Sequence, residues 1–342
     1  MNFASDNAYG VLPEVWTAIA AADRGTALAY GNDALTKSLK ARFSDLFERD
    51  VAVFPVFTGT AANALALACV TPPYGAVLCH KDSHIMTSEC GAPEFYSGAK
   101  LIGMDNGDGK FTPDAMMEAL GGLDGSVHSV QPRAVSISQA SELGTVYSVG
   151  EIGAISALAH ERGLKVHMDG ARFANAMAHL KKTPAEATWK CGVDVLSFGA
   201  TKAGALAAEA VVFFDPKDAA EFEYRRKRGG HLASKMRFVS AQLEALLEKD
   251  LWLASGARSN ALATRLAEGL KAINSIEIAA PVETNMVFAR LSVEKAQKMR
   301  AGGAQFHDWF PPTKDGKVTV RLAMAFATPE ADVEKLIELA KS

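Results

Sequence analysis

The 342-residue sequence is short of most features that would place it at once. Its four cysteines, Cys69, Cys79, Cys90 and Cys191, form no C-x-x-C pair. Neither a zinc knuckle nor a thioredoxin-type redox site is therefore indicated, and a reducing compartment is the simplest setting. No run of about 18 uninterrupted apolar residues occurs, and the opening MNFASDNAYG has neither a basic nor an apolar stretch. That predicts a cytoplasmic chain with no membrane span. Positive charge is not in excess: 36 Lys and Arg stand against 39 Asp and Glu, a net charge of −3, which argues against a nucleic-acid partner. Fixed-period repeats and low-complexity tracts are missing, which sets aside solenoids and propellers. Neither G-x-x-x-x-G-K-[ST] nor a G-x-G-x-x-G turn after a strand is present, so nucleoside triphosphate and nicotinamide chemistry lose ground.

What the sequence has is an ordinary globular balance, 49% apolar and 22% charged, with enough length to bury a large core without staples. Helical periodicity over residues 14–22 and 34–47 leads into the apolar run 51–57, a Thr-Gly-Thr turn and an Ala-rich helix over 61–69. Short strand-like runs follow at 76–79, 100–104, 134–139, 165–168, 193–198 and 210–214, with a helix over 149–161 among them. Seven strands interleaved with helices predict an α/β fold with a mainly parallel sheet covered on both faces. From about Ala241 the texture changes to one long helix through Leu270, strands at 276–279, 287–291 and 318–324, a helix near 293–301 and a last helix from Pro329. This predicts an N-terminal arm over 1–15, a large domain over 16–243 and a smaller C-terminal α+β domain over 244–342.

Four local features carry chemistry. Thr58-Gly59-Thr60, between a buried strand and a helix of small residues, has the form of an anion-binding turn, with open N–H groups and two hydroxyls at a helix N-terminus. It is equally the form of a plain capped turn. His167-Met168-Asp169-Gly170-Ala171-Arg172 puts an Asp at the carboxyl end of a strand, where α/β sheets bind ligands. Its carboxylate could pair with a cationic ring nitrogen, or simply cap the next helix. Ser197-Phe198-Gly199-Ala200-Thr201-Lys202 places a lysine among small neighbours, where a partly desolvated amine becomes a nucleophile toward carbonyl carbon. The alternative is a solvated loop lysine. In the segment 80–94, His80 and His84 lie four apart. Without H-E-x-x-H a metal site is not indicated, and a histidine stacked on a ring fits better. Taken in order, an anion turn, a stacking histidine, an acid for a ring nitrogen and a lysine 33 positions beyond it describe a pyridoxal phosphate site.

At these residues the chain resembles the threonine aldolases, pyridoxal-phosphate enzymes of the aspartate-aminotransferase fold, also called fold type I. The likeness runs through Ser5-Asp6-Asn7, Tyr30-Gly31-Asn32-Asp33, Thr58 to Asn63, His84 to Glu94, His167 to Arg172, Ser197 to Lys202 and Lys235-Met236-Arg237-Phe238. The segments E-C-G-A-P-E-F, H-M-D-G-A-R-F and S-F-G-A-T-K look like the low-specificity bacterial branch. The resemblance implies a lyase that cleaves β-hydroxy-α-amino acids, among them threonine, its allo isomer and aryl-substituted serines, to glycine and an aldehyde. It implies Lys202 as the cofactor-bearing lysine, Asp169 as partner of the ring nitrogen and His84 as the stacked residue and best candidate base. Thr58, Gly59 and Thr60 would hold the phosphate. Ser5, Arg172 and Arg321 would hold the substrate carboxylate, with Arg172 also at the cofactor. Arg237 on the phosphate side and Tyr30 on the substrate side would come from a neighbouring subunit, which implies a homo-oligomer, a dimer or a tetramer of dimers. Two segments depart from the family. Ser138-Gln139-Ala140-Ser141-Glu142 has no histidine where other branches carry E-N-T-H-N, and the longer segment before Arg237 offers Lys227 and Lys235 for one phosphate-contacting lysine.

Overall fold

Strands that are apolar on both faces need cover on both sides. In the computed structural model, which describes residues 1–105, 107–123 and 125–341, they form a seven-stranded sheet. Its strands are β1 (Ala52–Val56), β2 (Gly75–His80), β3 (Lys100–Met104), β4 (Gln131–Ser138), β5 (Lys165–Gly170), β6 (Val195–Gly199) and β7 (Glu209–Phe213), in the order β1-β7-β6-β5-β4-β2-β3. Only β7 runs against the others, pairing antiparallel with both β1 and β6. The carboxyl ends of the six parallel strands and the start of β7 therefore share one edge. This is the mainly parallel α/β fold expected.

Alternation along the strands sorts the two faces. Val195, Val211 and Phe213 pack against Ala62, Leu65 and Ala66 of the Gly59–Val70 helix. Leu196, Phe198 and Val212 bury on the other side with Phe43, Phe47, Leu243, Leu246 and Trp252. His167 ties the centre together: its Nδ1 lies 2.8 Å from Ser136 Oγ and its Nε2 3.0 Å from Ser197 Oγ, one partner on each neighbouring strand. Burial pushes its pKa down to about 4, so it is a neutral structural residue.

A second, antiparallel sheet holds β8 (Glu277–Ile278), β9 (Met286–Ser292), β10 (His307–Phe310) and β11 (Lys317–Ala323), in the order β10-β11-β9-β8. Its core joins Val287, Leu291 and Val320 to Leu262 and Leu266 of the Leu251–Lys271 helix and to Phe3. Phe3 arrives with an N-terminal segment held by Phe3 N–H to Gln305 O at 2.8 Å and Ala323 N–H to Phe3 O at 2.9 Å.

Two elements differ from expectation. The single helix foreseen from about Ala241 to Leu270 is two, Arg237–Leu247 and Leu251–Lys271, because Lys249 (φ 52°) and Asp250 (φ 55°) adopt left-handed backbone. No Gly or Pro marks that break, and Leu243 and Leu246 before it share one core with Trp252 after it, so the periodicity runs through it. Strand β10 was not foreseen, because its sequence HDWF lies at a largely exposed edge and lacks apolar alternation.

Candidate active site

The functional side chains gather where the parallel strands end. Thr58 follows β1, His84 follows β2, Asp169 sits at the end of β5 and Lys202 three residues beyond β6. Gly199 makes the last approach tight: a Cβ there would lie 2.6 Å from the carbonyl oxygens of both Gly170 and Ala171. Only glycine lets the turn before Lys202 rest on the turn after Asp169. One cavity of about 400 Å³ is lined by Thr58, Gly59, Thr60, Asn63, His84, Glu89, Asp169, Lys202 and Glu209, among others.

Each group has a distinct local cause. Thr58 caps the Gly59–Val70 helix, its hydroxyl accepting from Ala61 N–H at 3.2 Å, and the first turn leaves the N–H groups of Gly59 and Thr60 without intrahelical partners. Asp169 is buried and accepts at Oδ1 from Ala171 N–H, 3.0 Å, and at Oδ2 from Asn63 Nδ2, 2.9 Å. The same Asn63 nitrogen donates to Glu89 Oε1 at 2.9 Å, and Glu89 Oε1 lies 2.7 Å from His84 Nδ1. That hydrogen bond, against partial burial, pushes His84 up from its usual value, with Asp169 and Glu142 adding to it. Burial pushes the Glu89 carboxyl up as well, the His84 contact opposing it.

Arg172 is buried and engaged: its Nε and Nη2 donate to Asp6 Oδ2 and Oδ1 at 2.7 and 3.1 Å. Burial favours a protonated Asp6, but Arg172, Lys202 and a hydrogen bond from Asn285 outweigh it and hold the carboxyl well below the usual range. Arg321 donates from Nη2 to Ala4 O at 3.0 Å and lies over the Trp309 ring at 4.9 Å. Burial and the Arg172 charge both lower its pKa from the usual value, an electrostatic setting that an anion would relieve. Ser5 Oγ accepts from Asn7 N–H at 3.1 Å. Ser5, Arg172 and Arg321 do not line this cavity, and neither do Tyr30, with the Lys227 amine 4.6 Å over its ring, and Arg237, stacked on Phe238 at 5.0 Å.

Sequence reasoning did not single out Asp6, Asn63, Glu89 or Glu209 as acting alone. The first three sit inside quoted motif segments, but Glu209 carries no pattern at all. Its carboxylate accepts from Ala200 N–H at 2.7 Å beside Lys202, and burial pushes it up to about 7. Among the described residues no cluster of three or more His, Cys, Asp or Glu is arranged to hold a metal ion, and no helix is long and apolar enough to cross a membrane.

An aldehyde, a protonatable ring nitrogen and a phosphate find complementary groups here: an amine, a buried carboxylate and a helix N-terminus beside Gly59, where the site of an added Cβ is open for 4 Å around. Fold and cavity together define a pyridoxal-phosphate-dependent enzyme of fold type I. The beta-eliminating lyase model matches residues 2–294, and a Pseudomonas low specificity L-threonine aldolase is 45% identical over 98% of this chain and 95% of its own. The corresponding Pseudomonas aeruginosa protein is 44% identical over 99% and 96%, and the solved Leishmania major threonine aldolase superposes with a TM-score of 0.94 at 30% identity over 99% and 98%. This chain belongs to the beta-eliminating lyase family, in its low-specificity L-threonine aldolase group.

Proposed function

We propose that the protein cleaves β-hydroxy-α-amino acids, L-threonine and L-allo-threonine foremost and phenylserine among aryl analogues, to glycine and an aldehyde. The observation that carries this reading is that the Lys202 amine and the Asp169 carboxylate line one cavity beneath a helix N-terminus. Pyridoxal 5′-phosphate, when bound, supplies a sink for the electron pair released as the Cα–Cβ bond opens. The chain's own residues bind and orient. Lys202 holds the cofactor's carbonyl carbon, Asp169 keeps the ring nitrogen protonated, and Thr58, Gly59 and Thr60 grip the phosphate. His84, which lines the same cavity, would stack on the ring and accept the β-hydroxyl proton.

The substrate carboxylate goes to Ser5, Arg321 and the remaining Nη1 of Arg172, a planar grip that fixes which bond at the α-carbon faces the ring. Asp6 supports that grip by holding Arg172 in one orientation. Tyr30 and Arg237 lie outside their own chain's cavity and act on the cavity of a second copy, which makes the working unit a homodimer or a tetramer of dimers. All four cysteines are free thiols, compatible with a cytoplasmic setting.

Incubating the holoenzyme with L-threonine and no keto acid tests the reaction: glycine and acetaldehyde are expected in equal amounts. An absolute need for a keto-acid acceptor would make the protein an aminotransferase instead. Lys202→Ala is expected to purify without the visible absorption band of the lysine-bound cofactor. An unchanged spectrum in that variant would remove Lys202 from its role.

A further inference from the structure

Glu89 has a fully buried side chain in the wall of the cavity, and as an acid it is no partner for a phosphate or a carboxylate. Its Oε1 meets two nitrogens, His84 Nδ1 at 2.7 Å and Asn63 Nδ2 at 2.9 Å, and Asn63 continues to Asp169 Oδ2 at 2.9 Å. The Asn63 amide nitrogen can only donate, so both carboxylate oxygens that it touches are acceptors. With Glu89 taken as the carboxylate, which can only accept, the proton of the third contact lies on His84 Nδ1.

That fixes the tautomer of the imidazole. With Nδ1 protonated toward Glu89, Nε2 of the neutral ring is an acceptor, and Nε2 has no partner among the described residues. A buried acid that holds one imidazole nitrogen so that the other can take a proton is the division of labour in the serine-protease triad. We propose that Glu89 is the positioning residue of this reaction: it holds Nδ1 as the donor and so leaves Nε2 of His84 to take the β-hydroxyl proton. This rests on the aldolase reading above.

In that step the hydroxyl O–H bond breaks and an Nε2–H bond forms. The O–H pair becomes the second bond of the aldehyde carbonyl, and the Cα–Cβ pair stays with the glycyl fragment. One proton is later returned at the α-carbon, so none is gained or lost overall. Glu89 stays ionised and its charge stabilises the imidazolium. The other charged groups around His84 are Asp169 at the end of β5, Glu142 in the turn after β4 and Lys202 beyond β6, which lines the same cavity. The two acids act in the same direction as Glu89.

Glu89→Gln tests the idea in the holoenzyme, because the amide keeps the shape and an acceptor oxygen but loses the charge. The expected result is a kcat for phenylserine lower by roughly 10- to 1,000-fold with little change in KM, and with the cofactor band retained. The acidic limb of the kcat profile should move to lower pH, and the His84 imidazole titration, followed by ¹⁵N NMR, should fall with it. Glu89→Asp, which keeps the charge, should restore the raised titration at least in part. An unmoved His84 titration in Glu89→Gln overturns the proposal even if activity falls, because a merely structural residue would give that pattern. A wild-type protein that cleaves no β-hydroxy-amino acid would defeat the aldolase reading instead, while the NMR titration would still report on the Glu89–His84 pair.

Discussion

Two buried acids of opposite character flank Lys202. Asp6 is held ionised by Arg172, which outweighs the effect of burial, and its folded-state pKa is depressed. The stabilisation from that pair is present above the ordinary carboxylate range and is lost only as pH falls through the depressed value. Glu209 behaves oppositely: burial lifts it from 4.5 to about 7, so the folded state binds a proton that the unfolded chain releases. Stability relative to an uncharged residue is then greatest below about 4.5 and declines as pH rises through 7. Glu209→Gln is therefore expected to lose less thermal stability than the wild type between pH 5 and pH 8, measured as the unfolding midpoint at each pH. Equal pH dependence in the two proteins would remove that role. The contrast also shows what a sequence reveals. Lys202, Asp169 and the Thr58 turn were legible because each stands in a local strand-turn context. Asn63 joins Glu89 to Asp169 and Asp6 holds Arg172, pairings that span 26, 106 and 166 positions in sequence, and no local pattern records them.

At the scale of elements, the Leu251–Lys271 helix connects the two sheets. It rests on the Phe173–Leu180 helix, which follows directly from Arg172, and Asn175 Nδ2 donates to Ser259 Oγ at 2.9 Å and Asn260 Oδ1 at 2.8 Å. Gly256 lets the two backbones meet: an added Cβ would lie 2.5 Å from Ala174 O. Alanine is the better helix former by about 1 kcal/mol, but the contact is with backbone, which cannot turn aside, and overpacking costs about 1–3 kcal/mol. The clash wins, so Gly256→Ala is expected to lower the thermal midpoint by a few degrees, and a higher midpoint would show that the helices can separate cheaply. The strands of the large sheet were readable because each is a short apolar run between turn residues. The break at Lys249 and Asp250 was not, since its backbone follows from tertiary packing and neither residue type announces it.

For the molecule as a whole, the sites proposed to be shared between copies have a direct test. Lys202→Ala and Arg237→Ala chains, each inactive alone, are expected to regain aldol cleavage when unfolded together and refolded, because a mixed dimer rebuilds one complete site. Recovery no greater than the sum of the separate proteins would confine each site to a single chain. The mainly parallel sheet followed from alternation of strands and helices, whereas neither its strand order nor the path of the N-terminal segment did. Residues 3–6 find their partners at Gln305, Ala323, Arg172 and Asn285, the far end of the sequence as well as its middle. Contacts so remote along the chain close very long loops, at an entropic cost that grows only slowly with loop length. The guanidinium proposed to grip the substrate thus takes its orientation from the N-terminal segment, and detaching that segment would leave Arg172 without its carboxylate partner.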